Sequence, residues 1–229
     1  MGFVFSPSNI MTYRTCPRRF MGQSITKEIK WKASTQKSRG TVVHSAIEKA
    51  MQDGMQAVRS WDTQLDTGYV QQLVSNVRNA AAKGAKVCIE HELVVTDKMK
   101  HTYNWWDDNA FLRARADALI LYPDDTAPWL IDIKTGKKWD TDDFQLRVEA
   151  LLVHLIYKKN IVRYSYEYVD SGESVKGIVD MTNGLLPVQD VVDTIRDMKA
   201  SIRDGYFPCQ SNKFCRFCDF HKTKSCDVI

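Results

Sequence analysis

Arg115-Ala116-Asp117-Ala118-Leu119-Ile120-Leu121 and, after a polar connection, Trp129-Leu130-Ile131-Asp132-Ile133-Lys134-Thr135-Gly136 decide how this chain is read. Both are rich in β-branched and apolar residues and are separated by Tyr122-Pro123-Asp124-Asp125, which predicts two consecutive strands. Strand side chains alternate in direction, so Asp132 and Lys134 leave the same face of the sheet. An antiparallel neighbour brings the Asp117 carboxylate toward that of Asp132. Two carboxylates at short range repel unless something cationic lies between them. Mg²⁺ or Mn²⁺ prefers oxygen ligands and keeps waters for chemistry, so either ion resolves the conflict. Lys134 would stand beside it, able to deprotonate or orient a water or to stabilise charge on a phosphate. Asp-x-Lys alone is common on solvated strands. Here the pair alternates with Ile131 and Ile133 in a strand that reads as mostly buried, where charges need partners.

Working outward, Ser6-Pro7-Ser8 reads as a turn and cap before a short helix over residues 9–20. The basic, polar stretch 27–40 reads as a loop. Val42, Val43, Ile47, Met51 and Met55 recur at helical spacing, predicting a helix over 41–58. A second helix is expected over 70–82, ended by Gly84. Strands follow at 87–96, 110–122 and Trp129–Lys134, then a helix at 142–157, strands at 161–169 and 174–181, and a helix at 186–204. That order indicates one α/β domain on a central sheet, and 229 residues suit a single core.

The net charge of +4 is unevenly spread: residues 1–50 hold nine Lys/Arg against Glu28 and Glu48, while the middle of the chain is acidic. Folding that joined the two basic ends would make a phosphate-attracting surface. No apolar run approaches the ~20 residues that cross a bilayer, and the N-terminus lacks a signal-peptide pattern. A cytoplasmic protein without membrane association is the expectation. With no GxxxxGK[ST] sequence the chain is not its own ATP-driven motor, and a helicase, recombinase or other complex subunit is an expected partner.

Asp117, a turn, and Asp132-Ile133-Lys134 together resemble the signature of the PD-(D/E)XK nuclease superfamily. Arg39-Gly40-Thr41-Val42-Val43-His44-Ser45-Ala46-Ile47-Glu48 looks like the Arg-Gly-x-x-x-His helix of its RecB-like exonuclease branch, which includes CRISPR-associated exonucleases and many phage recombination nucleases. Ile89-Glu90-His91-Glu92-Leu93 resembles that branch's next acidic strand, and Gln145-Leu146-Arg147 its Gln-containing helix after the lysine. The resemblance implies a restriction-endonuclease-like fold, a central mixed β-sheet flanked by helices, in one domain over 1–229 with its core at 41–204. It implies that His44, Asp117, Asp132 and the Ile133 backbone carbonyl hold the metal. By the same resemblance Lys134 acts on the water, and Gln145 positions Lys134 or the scissile phosphate. Glu90 would be a ligand or an outer partner. Glu48, four residues after His44, reads as a helix-surface partner or, like Glu90, an outer partner of the metal site. Members often carry Tyr four residues after the Gln, where this chain has Glu149. His101 and His154 are read as structural.

Cys215-x-x-Cys218 followed by Cys226 is metal-ligand spacing, with Cys16, His221 or Cys209 as the fourth donor. Zinc on Cys215, Cys218, His221 and Cys226 is one reading. Cys16-Pro17-Arg18-Arg19-Phe20 resembles the N-terminal segment of RecB-like nucleases that carry an iron–sulfur cluster, and the aromatic, Cys-rich tail resembles their C-terminus. The resemblance implies a 4Fe-4S cluster on Cys16, Cys215, Cys218 and Cys226, structural in role and joining segments 1–40 and 205–229. Cys88 reads as a small core residue.

Arg18, Arg19, Arg39, Lys213 and Arg216 are candidate phosphate contacts. Tyr103, Trp105, Trp106 and Phe111 form an aromatic cluster, for which core packing is the plainer reading and stacking of single-stranded bases the other. The combined reading is a divalent-metal-dependent DNA exonuclease acting on single strands or ends, in recombination or repair. The alternative is a noncatalytic DNA-binding or scaffolding module.

Overall fold

The computed structural model describes residues 2–29, 35–53, 65–136, 142–213, 215–218, 220 and 226, excepting the side chains of 35–38 and 217. Helices α1 (Pro7–Thr15) and α2 (Pro17–Phe20), a π-helical turn (Met21–Ile25), α3 (Thr35–Asp53) and α4 (Thr67–Ala82) precede the sheet. Strands β1 (Lys86–Thr96), β2 (Ala110–Leu121) and β3 (Trp129–Lys134) lead to α5 (Phe144–Tyr157), β4 (Ile161–Tyr168), β5 (Glu173–Asp180) and α6 (Gln189–Asp204).

The five strands lie in sequence order. Neighbours are antiparallel except β3 and β4, which run parallel, so the sheet is mixed as expected. A parallel pair needs a long crossover, and α5 provides it. One face is covered by α1, α5 and α6, where Phe144, Leu151, Ile195 and Met198 meet Leu93, Leu119 and Leu130. On the other face Val43, Ile47 and Met51 of α3 and Val70, Val74 and Val77 of α4 meet Ile120, Ile131 and Ile133. Spacings of three and four residues on these helices set this stripe. Each fully buried aliphatic side chain is worth about 1.5–3 kcal/mol, so β3, packed on both faces, is firmly held.

Two boundaries differ from the sequence expectation. The helix expected over 9–20 is broken at Cys16, which is extended at φ −167°. Pro17 disfavours helical geometry in the residue before it and starts a new helix at its own N1 position. Helix α3 begins at Thr35, inside the stretch read as a loop. Thr35-Gln36-Lys37-Ser38 contains no apolar residue, so periodicity missed it. The expected continuation of α3 beyond residue 53 lies outside the described residues.

Candidate active site

The β2–β3 ladder pairs only Ala118↔Ile131, Leu119↔Leu130 and Ile120↔Trp129. One residue further, the Asp117 side chain replaces the backbone ladder: its Oδ2 accepts the Ile133 N–H at 2.6 Å. Opposite Asp117 on β1, Glu90 takes φ 48°, an uncommon backbone for a non-glycine residue. Farther along β2, Leu112 bridges Phe5 of the N-terminal segment rather than β3. The sheet is therefore parted beside Asp117, and the candidate residues gather at the parting.

On one side of it stand His44 and Glu48, one turn apart on α3. His44 Nδ1 lies 3.4 Å from Asp117 Oδ2. Donor atoms of His44, Glu48 and Asp117 all fall within 4.8 Å of one another, close enough to hold one metal ion. Glu48 is buried, and its Oε1 has no hydrogen-bond partner. Burial pushes the Glu48 carboxyl up to about 7, helped by its hydrogen bond with Glu90 and by the charges of Glu90 and Asp117. Burial would lower the His44 pKa, but the hydrogen bond and charge of Asp117, with Asp132 and Glu48, leave it raised. Carboxylates and an imidazole crowded with too few cations are what a divalent ion would neutralise. An open cleft of about 550 Å³, lined by Gly40, Thr41, His44, Ser45, Glu48, Glu90 and Thr135, leads to them.

Across the parting stands a second group. Asp132 Oδ1 accepts from Gln145 Nε2 at 2.6 Å, and Asp132 Oδ2 lies 2.7 Å from Lys134 Nζ. Lys134 Nζ donates to Gln145 Oε1 at 3.1 Å, closing the triangle. Burial would lower the Lys134 pKa, but Asp132, then Asp117 and Glu149, raise it, so the ammonium keeps its proton. Burial pushes Asp132 up to about 6 against the pull of Lys134. Gln145 Nε2 also donates to Glu149 Oε1 at 3.0 Å. Glu149 is fully buried among these acids, which holds its carboxyl well above the usual range.

The sequence-predicted residues thus form two adjoining groups, and Glu48 belongs with His44 and Asp117 in the one that could hold a metal ion, buried rather than on the helix surface. Asp132 faces Lys134 and Gln145, and Ile133 meets Asp117 through its N–H. Arg39, expected to meet phosphate, is held by both nitrogens on Asp170 at 2.8 and 2.9 Å. The Gly136 N–H donates to the same carboxylate. Asp170 went unnoticed because an acid after a strand and before Gly172 reads as an ordinary turn.

Arg18 stacks on Phe220 at 4.6 Å, while Lys213 and Arg216 are exposed. Cys16, Cys215, Cys218 and Cys226 line one small cavity with Thr15, Arg19, Gln210 and Asn212. No disulfide links them, and the Asn212 N–H donates to Cys215 Sγ at 3.2 Å. Cys209 is in contact with Cys226. His221 lies outside the described residues. His154 bonds the Lys159 carbonyl, consistent with a structural role. Among the described residues no helix is long and apolar enough to cross a membrane.

No relative is found among curated proteins. Among solved structures, the crystal structure of SSO0001 aligns with 100% of this chain and 88% of its own, at 14% identity and a TM-score of 0.53, a likeness of fold. An alkaline exonuclease (LHK-Exo) from Laribacter hongkongensis aligns over 97% of this chain and 93% of its own, at 8% identity and a TM-score of 0.36. The family model of the PD-(D/E)XK nuclease superfamily matches residues 4–223, a span that includes His44, Asp117, Asp132, Lys134 and Gln145. The chain belongs to the PD-(D/E)XK nuclease superfamily.

Proposed function

We propose that this nuclease is a divalent-metal-dependent DNA exonuclease of the RecB-like branch, acting on single strands or ends. The observation that carries the reading is the meeting of His44, Glu48 and Asp117 beside the Asp132–Lys134–Gln145 triangle. His44, Glu48 and Asp117 would hold Mg²⁺ or Mn²⁺, with Asp132 and the Ile133 carbonyl as the further ligands implied by the motif. A bound ion supplies Lewis acidity and a water of lowered pKa. Lys134 presents its ammonium where charge develops on the phosphate, and Gln145 fixes both Lys134 and Asp132 in place.

Cys16, Cys215, Cys218 and Cys226 line one cavity, and thiol donors suit a soft metal; a 4Fe-4S cluster there would join the chain ends without entering the chemistry. Zinc is the other occupant the thiol donors suit. The domain is read as one nuclease unit over 1–229. The alternative is a noncatalytic DNA-binding or scaffolding module; the intact Asp132–Lys134–Gln145 triangle favours the nuclease reading.

Labelled single- and double-stranded DNA, incubated with Mg²⁺ or Mn²⁺ and either the protein or Asp132→Ala, tests the proposal. Cleavage that requires metal and is lost in the variant is expected. Metal-independent cleavage, or equal cleavage by both proteins, rules the reading out. Absorbance near ~400 nm in anaerobically purified protein separates iron–sulfur from zinc.

A further inference from the structure

The β1–β2 connection, residues 97–109, divides the aromatic cluster. Phe111 packs on Phe5 with ring centroids 5.1 Å apart, beside the core. Tyr103 and Trp106 do the opposite, standing 92% and 76% exposed. The loop that carries them is nonetheless tightly bonded. Thr102 Oγ1 donates to Asp107 at 2.9 Å, the Trp106 N–H to Asn104 Oδ1 at 3.0 Å and the Asn109 N–H to Asp107 Oδ1 at 2.8 Å. Arg113 fixes the base of the loop by donating to the Trp105 carbonyl at 2.8 Å. Its guanidinium also lies 4.5 Å from the Trp105 ring and 5.0 Å from the Trp106 ring. Two large rings carried in solvent on a bonded loop offer flat apolar faces to a ligand that stacks on them.

The loop opens onto a groove of about 710 Å³ whose lining includes Trp105, Arg113, Arg115, Arg19, Gln145 and Glu149. At its inner end Gln145 is bonded to Asp132. Arg115 is paired with Glu90 and Glu92, whereas Arg113 makes no ion pair among the described residues. Rings and a guanidinium beside a groove match a strand with bare base faces and regularly spaced phosphates. A duplex hides its base faces.

We propose that the 97–109 loop is a stacking platform for single-stranded DNA. Trp106 and Tyr103 stack on bases, Arg113 takes a phosphate, and the groove carries the strand toward Gln145 and Asp132. The strand's destination rests on the nuclease reading; its binding does not.

Binding of a labelled oligothymidylate of about 20 nucleotides and of a blunt duplex is measured with metals chelated. Trp106→Ala and Tyr103→Ala are expected to weaken single-strand binding about tenfold each while leaving the duplex nearly unaffected. Trp106→Phe, which keeps a ring, restores most of the affinity. Both rings are exposed, so unchanged thermal melting shows that the fold is intact. Undiminished single-strand binding by both alanine variants, or equal losses on the duplex, overturns the platform. Because no hydrolysis enters this measurement, a protein that binds as expected but never cleaves keeps the platform and loses the nuclease reading.

Discussion

Glu48 holds a buried carboxyl oxygen without a partner in a site crowded by Glu90 and Asp117. In the unfolded chain its pKa is near 4.5, and in the fold it is pushed up to about 7. The unfolded state therefore binds fewer protons between those values, and stability falls as pH rises through that window. Asp132, raised from 3.8 to about 6, acts with the same sign. So does His44, whose raised pKa stabilises the fold below 6.5 and ceases to as pH passes its folded value. Metal-free protein should thus show a falling Tm between about pH 5 and pH 7.5, and Mg²⁺ should raise Tm more at the upper end. Differential scanning fluorimetry checks this, and a Tm that climbs across the window contradicts it. Glu48→Gln should weaken Mn²⁺ binding about tenfold by calorimetry. Glu92→Gln, on an exposed acid paired with Arg115, should leave it unchanged. His44, Asp117, Asp132, Lys134 and Gln145 were legible because their motif is linear. That Glu48 stands within reach of Asp117 was not, since an acid four residues along a helix looks the same whether it meets solvent or a neighbouring strand.

At the scale of elements, helix α3 must sit correctly on the sheet, because it carries His44 and Glu48 toward Asp117 on β2. The Arg39–Asp170 pair fixes it there, joining α3 to the turn after β4 while Gly136, after β3, bonds the same carboxylate. Removing the guanidinium strips a two-pronged ionic bond from a partly buried acid, a loss of about 1.5–3 kcal/mol. Arg39→Ala should lower Tm and weaken metal binding together. Arg39→Lys should recover little, because an ammonium cannot make both bonds at once. A variant with normal Tm and normal Mn²⁺ affinity would show that α3 is held by its apolar stripe alone. The helices and strands were readable from periodicity where an apolar face repeats. The start of α3 and the break at Cys16 were not, the first for lack of apolar residues and the second because Pro17 acts on its predecessor.

For the whole molecule, the question is how the two ends meet. The Arg18 N–H bonds the Pro208 carbonyl, and Asn212 donates to the Thr15 carbonyl. Phe220 packs so closely on Gly22 that an added Cβ would lie 2.4 Å from its ring. Gly22 is required there for space. Gly22→Val should cost roughly 1–3 kcal/mol through overpacking and loosen the C-terminal segment. Faster hydrogen exchange over residues 206–218, with the sheet unaffected, is the expected signature. Equal exchange in variant and parent would mean that the ends are held without this contact.

By itself the sequence determined the alternation of strands and helices, the placement of Asp132 and Lys134 on one face, and most residues of the candidate site. These follow from periods of two and 3.6 residues and from a linear motif, all properties of the local chain. Tertiary structure alone decided which acids meet which cations, that Arg39 is occupied by Asp170, and that Trp106 faces solvent while Phe111 packs inward. Partnerships of that kind depend on distances between elements far apart in the chain, and no local period encodes them.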